Sequence, residues 1–307
     1  MYELIIIGGG PAGVAAGIYA ARKKIKTALI TDVFGGQSLV SADIQNWIGT
    51  KSISGFEFGR TLESHLRAQE GIDIIEGDRV LKVEDKLSHF TIETEHGKNF
   101  ESKMLFIASG SKRRKLGVPG ENKFNGKGVV YCSICDAPLF KGKNVAVVGG
   151  GNSGLEAVRD LIPYASKIYL LESTGKLRGD KTMQEKISSD PKIEVILGAD
   201  ILEILGETIV NGIRYKELTS GAEKNLQVGG VFVEIGLVPN SDIVNGLVML
   251  NNLGSIEIDH KTQRTSHERI WAAGDVTDVL YKQNNISVGD AVKAILNIYD
   301  SIGAQGK

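Results

Sequence analysis

The sequence predicts a doubly wound α/β fold, and three observations carry that prediction: short continuous apolar runs, helical stretches between them, and one pattern that occurs twice. The runs are Leu4 to Ile7, Thr27 to Ile30, Met104 to Ala108, Val145 to Val148, Ile168 to Leu171 and Val231 to Ile235. Apolar at consecutive positions, they suit parallel strands covered on both faces. The clearest helices are Ala12 to Arg22 and Ser153 to Ile162, the second bounded by Pro163. The repeated pattern is strand, glycine turn, small-residue helix, second strand and terminal acid, from Leu4 to Asp32 and again from Val145 to Glu172.

Length and composition agree. A chain of 307 residues has room for about two domains, each with its own core. Lys and Arg number 36 against 37 Asp and Glu, so the charge balance calls for neither nucleic acid nor an anionic membrane. The first apolar run starts at Leu4, which leaves no space for a secretory leader, and no run approaches the roughly 18 residues that span a bilayer. A cytoplasmic protein is the expectation. The 38 glycines are a surplus, and two motifs account for part of it.

Gly8-x-Gly10-x-x-Gly13 follows an apolar strand and opens a helix, so backbone N–H groups can meet a pyrophosphate with no Cβ in the way. Asp32 stands about 20 residues on, where a carboxylate accepts hydrogen bonds from ribose hydroxyls. Gly149-x-Gly151-x-x-Gly154 repeats the arrangement, with Asn152 and Ser153 at the head of its helix and Glu172 at the end of the following strand. Two Rossmann-like dinucleotide sites are therefore expected. An acid at the position of Glu172 accepts a 2′-OH and repels a 2′-phosphate, which favours NADH; Lys176 and Arg178 lie close enough to blunt the preference, so NADPH stays possible. The plainer reading of Glu172 is a solvated strand end.

Two cysteines, Cys132 and Cys135, are too few for a secreted disulfide framework. Their C-x-x-C spacing holds a resolving thiol close and favours a reversible disulfide, and the adjoining Asp136 is placed to exchange the proton that such chemistry needs. A zinc site would need further ligands, and His65, His89, His96, His260 and His267 show no paired spacing, so no metal is expected. Inert thiols, and an Asp136 that merely caps a turn before Ala-Pro, are the bland alternatives. Gly274 and Asp275 follow the apolar run Ile270 to Ala273, where Asp275 either bonds a cofactor's polar chain or caps the next element. Tyr281-Lys-Gln-Asn precedes a helical stretch from Val288 to Ile298, whose start offers donors to negative charge.

Gly8-Gly-Gly-Pro-Ala-Gly13, Gly35-Gly-Gln37, Asn46-Trp47, Cys132-Ser-Ile-Cys-Asp136, Gly149-Gly-Gly-Asn-Ser-Gly154 and Ala272-Ala-Gly-Asp-Val276 together resemble the low-molecular-weight thioredoxin reductase family, in order and over nearly the whole chain. Phe34-Gly-Gly-Gln, Asp136-Ala-Pro-Leu-Phe-Lys-Gly and Tyr281-Lys-Gln are most similar to the reductase core of the alkyl hydroperoxide reductase flavoprotein subunit, without its N-terminal thioredoxin-like arm, whose place an external redoxin would take. The resemblance implies an FAD domain of residues 1–114 with 242–307, and an inserted nicotinamide domain of residues 115–241 that carries the C-x-x-C. It implies FAD contacts from Gly8, Gly10, Gly13, Asp32, Gln37, Asn46, Gly274, Asp275, Gln283 and Asn284. Cys135 would face the flavin, Cys132 would attack the partner disulfide and Asp136 would be the acid. A thioredoxin, a glutaredoxin-like protein or a peroxiredoxin system would be the partner, and the assembly a homodimer. Two departures stand out: the Arg-rich stretch of NADPH-dependent members is absent after Leu171, and Ser109-Gly110 stands where Thr-Gly is usual. Two rivals remain, a dithiol oxidase of the same fold that uses oxygen and a non-catalytic redox-sensing flavoprotein.

Overall fold

The structure, a computed structural model, describes residues 1–41 and 43–305. In the first half the chain forms β1 (Tyr2–Gly9), α1 (Pro11–Arg22), β2 (Thr27–Phe34), α2 (Gly55–Arg67), β3 (Ile72–Glu76), β4 (Val80–Asp85), β5 (Phe90–Thr94), β6 (Asn99–Ile107) and β7 (Ser111–Arg113). It continues through β8 (Val129–Val130), α3 (Ser133–Asp136), β9 (Asn144–Val148), α4 (Asn152–Leu161), β10 (Lys167–Glu172), α5 (Lys181–Ser188), β11 (Ile193–Leu197), β12 (Ala199–Gly206), β13 (Val210–Glu217), β14 (Glu223–Leu226), β15 (Gly230–Val233) and β16 (Leu237–Pro239). It closes with β17 (Ile270–Ala272) and α6 (Asn284–Gln305). The α/β class with parallel sheets is the one expected.

Two compact units result: Met1–Lys112 with Val238–Lys307, and Arg113–Leu237. The sequence placed the changeovers at 114/115 and 241/242; hydrogen bonding moves both earlier. The Arg114 N–H donates to Gly236 O within the second unit, while the Ser241 hydroxyl donates to Gly254 O and the Asn240 amide donates to Ser109 O within the first.

In the first unit the sheet runs β3-β2-β1-β6-β5-β4, with β17 also on β6. β1, β2, β3, β6 and β17 pair in parallel; β4 and β5 are antiparallel additions. The consecutive apolar residues of β1 are needed because successive side chains leave on opposite faces. Leu4 and Ile6 enter a core with Val14 and Ile18 of α1 and Ala294 and Ile298 of α6, whereas Ile5 and Ile7 enter one with Val83, Phe90 and Ile92 of the antiparallel arm. Alanines and glycines dominate α1 because it is buried nearly all round, and Pro11 starts it where no N–H is needed.

The second unit repeats the plan with a parallel sheet β11-β10-β9-β15-β8 and a separate antiparallel sheet β12-β13-β14. Val145 and Val147 face Leu155, Val158 and Leu161 of α4, while Ala146 and Val148 face Ile204, Ile213 and Tyr215 of the antiparallel sheet. Among the described residues no helix is long and apolar enough to cross a membrane.

Candidate active site

Both glycine motifs fold into the same turn, and the space around each glycine shows why. Gly8 has φ +116° and Gly149 φ +120°; a Cβ on either would lie 2.3 Å from Ala108 O or 2.4 Å from Glu234 O. The third glycines let helix and strand close on each other, since a Cβ on Gly13 would lie 1.8 Å from Gly8 O and one on Gly154 1.7 Å from Gly149 O. A Cβ on Gly10 or Gly151 meets nothing within 4 Å among the described residues. First and third glycines are thus required by packing, whereas the middle one leaves an open approach to backbone, as a diphosphate needs.

In the first unit that open face lines a cavity of about 390 Å³. Gly8, Gly10, Asp32, Gln37, Gly274, Asp275 and Asn284 line it. Asp32 is exposed and lies within β2, which runs on to Phe34 instead of ending at the acid. The Gln37 amide donates to the Ser111 carbonyl and, at 3.0 Å, to its hydroxyl, which fixes it on the wall. Gly13 stays buried beneath the turn. Asn46 and Gln283 do not line the cavity; the Asn46 amide donates to Gln283 Oε1 at 3.1 Å and links the loop before α2 to the segment before α6. Helix α6 begins at Asn284, four residues ahead of the expected Val288, so Asn284 enters the lining as its first residue. Sequence reasoning missed Lys282, a partly buried amine facing Asp275 and Asp278, whose burial pulls its pKa down against the pull of both carboxylates. It also missed Asp78 and Arg79 on the cavity wall. Nothing in the local spacing of Asp78 and Arg79 marks them, since they come in just ahead of β4; Lys282 stands within Tyr281-Lys-Gln, where only its neighbours were singled out as site residues.

In the second unit, Cys132 and Cys135 form a disulfide with Cα atoms 5.3 Å apart. Short β8 delivers the pair: buried Tyr131 anchors the strand end by donating its hydroxyl to Glu121 Oε1 at 2.9 Å, and Cys132 then starts α3 with its sulfur accepting the Cys135 N–H at 3.3 Å. The Ser133 hydroxyl donates to Asp160 Oδ2 at 2.9 Å and docks α3 on α4, the helix that the second glycine turn opens. Asp136 is buried, and burial pushes its carboxyl up to about 6 while Arg113 pulls the other way. An acid in that range can both give and take a proton near neutrality.

Glu172 corrects the expectation of an open ribose acceptor or a solvated strand end. It is 1% exposed and spends its oxygens on the loop: Gly150 N–H donates to Oε2 at 2.7 Å, and the Thr174 N–H and hydroxyl donate to Oε1, each at 2.9 Å. Arg178 reaches Oε2 at 3.4 Å. Burial raises its pKa, but these N–H and hydroxyl donors with Arg178 outweigh it and hold the group below the usual glutamate range. Asn152 likewise serves the loop by accepting the Asp180 N–H at 2.8 Å, while Ser153 is exposed at the head of α4.

Two dinucleotide folds, one of them bearing a disulfide beside a buried acid, define a pyridine-nucleotide-linked disulfide oxidoreductase. The chain belongs to the pyridine nucleotide-disulphide oxidoreductase family, whose model matches residues 2–294. It is similar to an alkyl hydroperoxide reductase component of Pseudomonas aeruginosa, 42% identical over 305 residues, 98% of this chain and 58% of that protein. A protein of Bacillus subtilis named NADH dehydrogenase is 41% identical over 299 residues, 97% of this chain and 58% of that protein. The chain thus spans under three fifths of the length of these relatives. The crystal structure of a thioredoxin reductase from Streptococcus pyogenes superposes with TM-score 0.92 at 33% identity, covering 99% of each chain. Thioredoxin reductase from Giardia duodenalis gives TM-score 0.92 at 30% identity, covering 98% of this chain and 99% of the other. The chain is thus similar to thioredoxin reductases over nearly its whole length, and membership of the pyridine nucleotide-disulphide oxidoreductase family implies FAD and NAD(P)H as cofactors.

Proposed function

We propose that this chain is a flavoprotein disulfide reductase that draws electrons from NADH, carries FAD in the first unit, and reduces a thioredoxin-, glutaredoxin- or peroxiredoxin-system protein through Cys132 and Cys135. The observation that carries the reading is the second unit, in which one short helix docked on the coenzyme-loop helix holds both a disulfide and a buried acid whose carboxyl is pushed up to about 6. The first cavity suits FAD: Gly10 offers unobstructed backbone to the pyrophosphate, Asp32 is exposed for ribose hydroxyls, and Asp275 and Asn284 lie farther along the wall. Bound FAD supplies hydride acceptance from the coenzyme and two-electron donation to a disulfide.

The chain's own residues do the rest. An electron pair entering the Cys132–Cys135 bond breaks it into two sulfur anions; Asp136 holds a proton for one, and Cys132 attacks the partner disulfide and expels the partner's other sulfur as thiolate. Cys135 then resolves the mixed disulfide. NADH is favoured because Glu172, kept ionised by its donors, places a fixed negative charge at the loop that a 2′-phosphate would approach. The name of the Bacillus subtilis relative points the same way.

Anaerobic mixing with NADH and, separately, NADPH tests the reading: NADH should bleach the flavin within seconds and faster than NADPH, and a redoxin panel should then turn over. No bleaching with either nucleotide would instead fit the oxygen-dependent dithiol oxidase. Light scattering should find a homodimer.

A further inference from the structure

The two elements that carry the disulfide are too short to hold it by themselves: β8 is two residues long and α3 four. A single helical turn is marginal without tertiary support. That support comes from two carboxyls, one for each neighbour of Cys132 in sequence. Tyr131 donates its hydroxyl to Glu121 Oε1 at 2.9 Å, and Ser133 donates its hydroxyl to Asp160 Oδ2 at 2.9 Å. Both carboxyls are themselves fixed. Glu121 is 1% exposed and accepts the Leu116 N–H at 2.9 Å and the Gly117 N–H at 2.8 Å. Asp160 stands near the end of α4, which Leu155, Val158 and Leu161 seat in the core, and the Arg159 guanidinium lies 3.1 Å from its Oδ1. Tyr131 and Ser133 are buried, whereas Ile134, the other residue between the sulfurs, is 53% exposed, so Ser133 alone of that pair seats the helix. Burial and the bond to Glu121 raise the Tyr131 phenol above its ordinary value, so it stays a donor where thiols titrate.

We propose that Glu121 and Asp160 are positioning residues of the disulfide centre: through Tyr131 and Ser133 they clamp Cys132, so that its sulfur stays beside that of Cys135 when the pair is reduced. This rests on the redox reading of Cys132 and Cys135. Reduction passes two electrons to the S–S bond, which breaks, and two protons to the sulfurs; the reverse step is ring closure between two thiols of one chain. How far closure is favoured depends on the effective concentration of one sulfur at the other, which is high only while the backbone between them keeps its conformation. Neither bond of the clamp involves sulfur, so reduction breaks neither. The clamp therefore favours the disulfide over the free pair, and it keeps Cys135 within reach of the mixed disulfide that Cys132 forms with a partner. A pair held only by its own turn of helix would lose that advantage each time it opened.

The test is the equilibrium of the full chain with mixtures of reduced and oxidised dithiothreitol under argon, the thiols then being trapped with iodoacetamide and counted by mass spectrometry. Tyr131→Phe and Ser133→Ala each remove one hydroxyl and leave both cysteines, and each should shift the equilibrium about fivefold toward the dithiol, the scale of one hydrogen bond. Ser133→Thr, which keeps the hydroxyl, should restore the wild-type constant. A loss of packing alone would lower the melting temperature and leave the constant where it is, so constants that coincide with wild type overturn the proposal. Should the variants not fold, amide hydrogen exchange of wild type decides: the Asp136 N–H, which donates to Cys132 O at 3.0 Å, should be equally protected in the disulfide and in the reduced pair, and loss of its protection on reduction overturns the clamp. Cysteines that dithiothreitol never reduces would overturn the redox reading itself, and the clamp with it. Shifted constants in a chain that turns over no redoxin would sustain the clamp and overturn the function proposed above.

Discussion

At the scale of single residues, Asp136 shows how a functional group is set by its surroundings. Its folded-state pKa of about 6 lies above the ordinary 3.8, so the native state holds the proton more tightly than the unfolded chain. Its contribution is therefore fully present below 3.8 and is lost as pH rises through about 6. At neutral and higher pH the buried charge costs roughly 3 kcal/mol. Asp136→Asn should melt at higher temperature than wild type at pH 8 and equally at pH 4, by scanning calorimetry, while redoxin turnover falls about a hundredfold. Cys132→Ser and Cys135→Ser should each abolish redoxin reduction and leave nucleotide-dependent flavin bleaching intact; loss of both activities in either variant would mean the disulfide is misassigned.

At the scale of elements, the glycine turns divide labour in a way a motif does not display. Gly151→Ala has open space for its methyl group and should fold as wild type while losing coenzyme affinity, measured by titration calorimetry. Gly154→Ala drives a methyl group onto the Gly149 carbonyl and should cost more than about 3 kcal/mol of stability in denaturant unfolding. Equal effects from the two substitutions would contradict this division. Glu172→Ala strands the buried N–H of Gly150, which costs about 1–3 kcal/mol when unpaired, so it should lower the melting temperature as well as NADH affinity. An open ribose acceptor, by contrast, would affect affinity alone.

At the scale of the whole molecule, the two units differ in how the chain supplies them. The second is one continuous segment, Arg113–Leu237, with cores on both faces of its sheet, and excised it should unfold cooperatively by circular dichroism. The first needs both chain ends: β17 pairs with β6, and Trp271, Ala294 and Ile298 fill the core against α1. Residues 1–112 alone should therefore stay unfolded, and a cooperative transition in that fragment would refute the argument.

The parallel strands β1, β2, β6, β9, β10, β15 and β17, both glycine turns and the C-x-x-C could be read from the chain because each is specified by neighbours in sequence: consecutive apolar residues for two-sided burial, bare Cα atoms for a turn, two residues between sulfurs; the parallel strands β3, β8 and β11 were not read. The antiparallel arms were not legible, since strands such as β4 and β14 carry charged residues on a wet face and lack a continuous apolar run. Folding alone decided that Glu172 serves its loop and that the Ser133 hydroxyl docks the disulfide helix on Asp160. Burial and charge at a side chain are sums over everything packed around it, and most of those atoms come from remote positions along the chain.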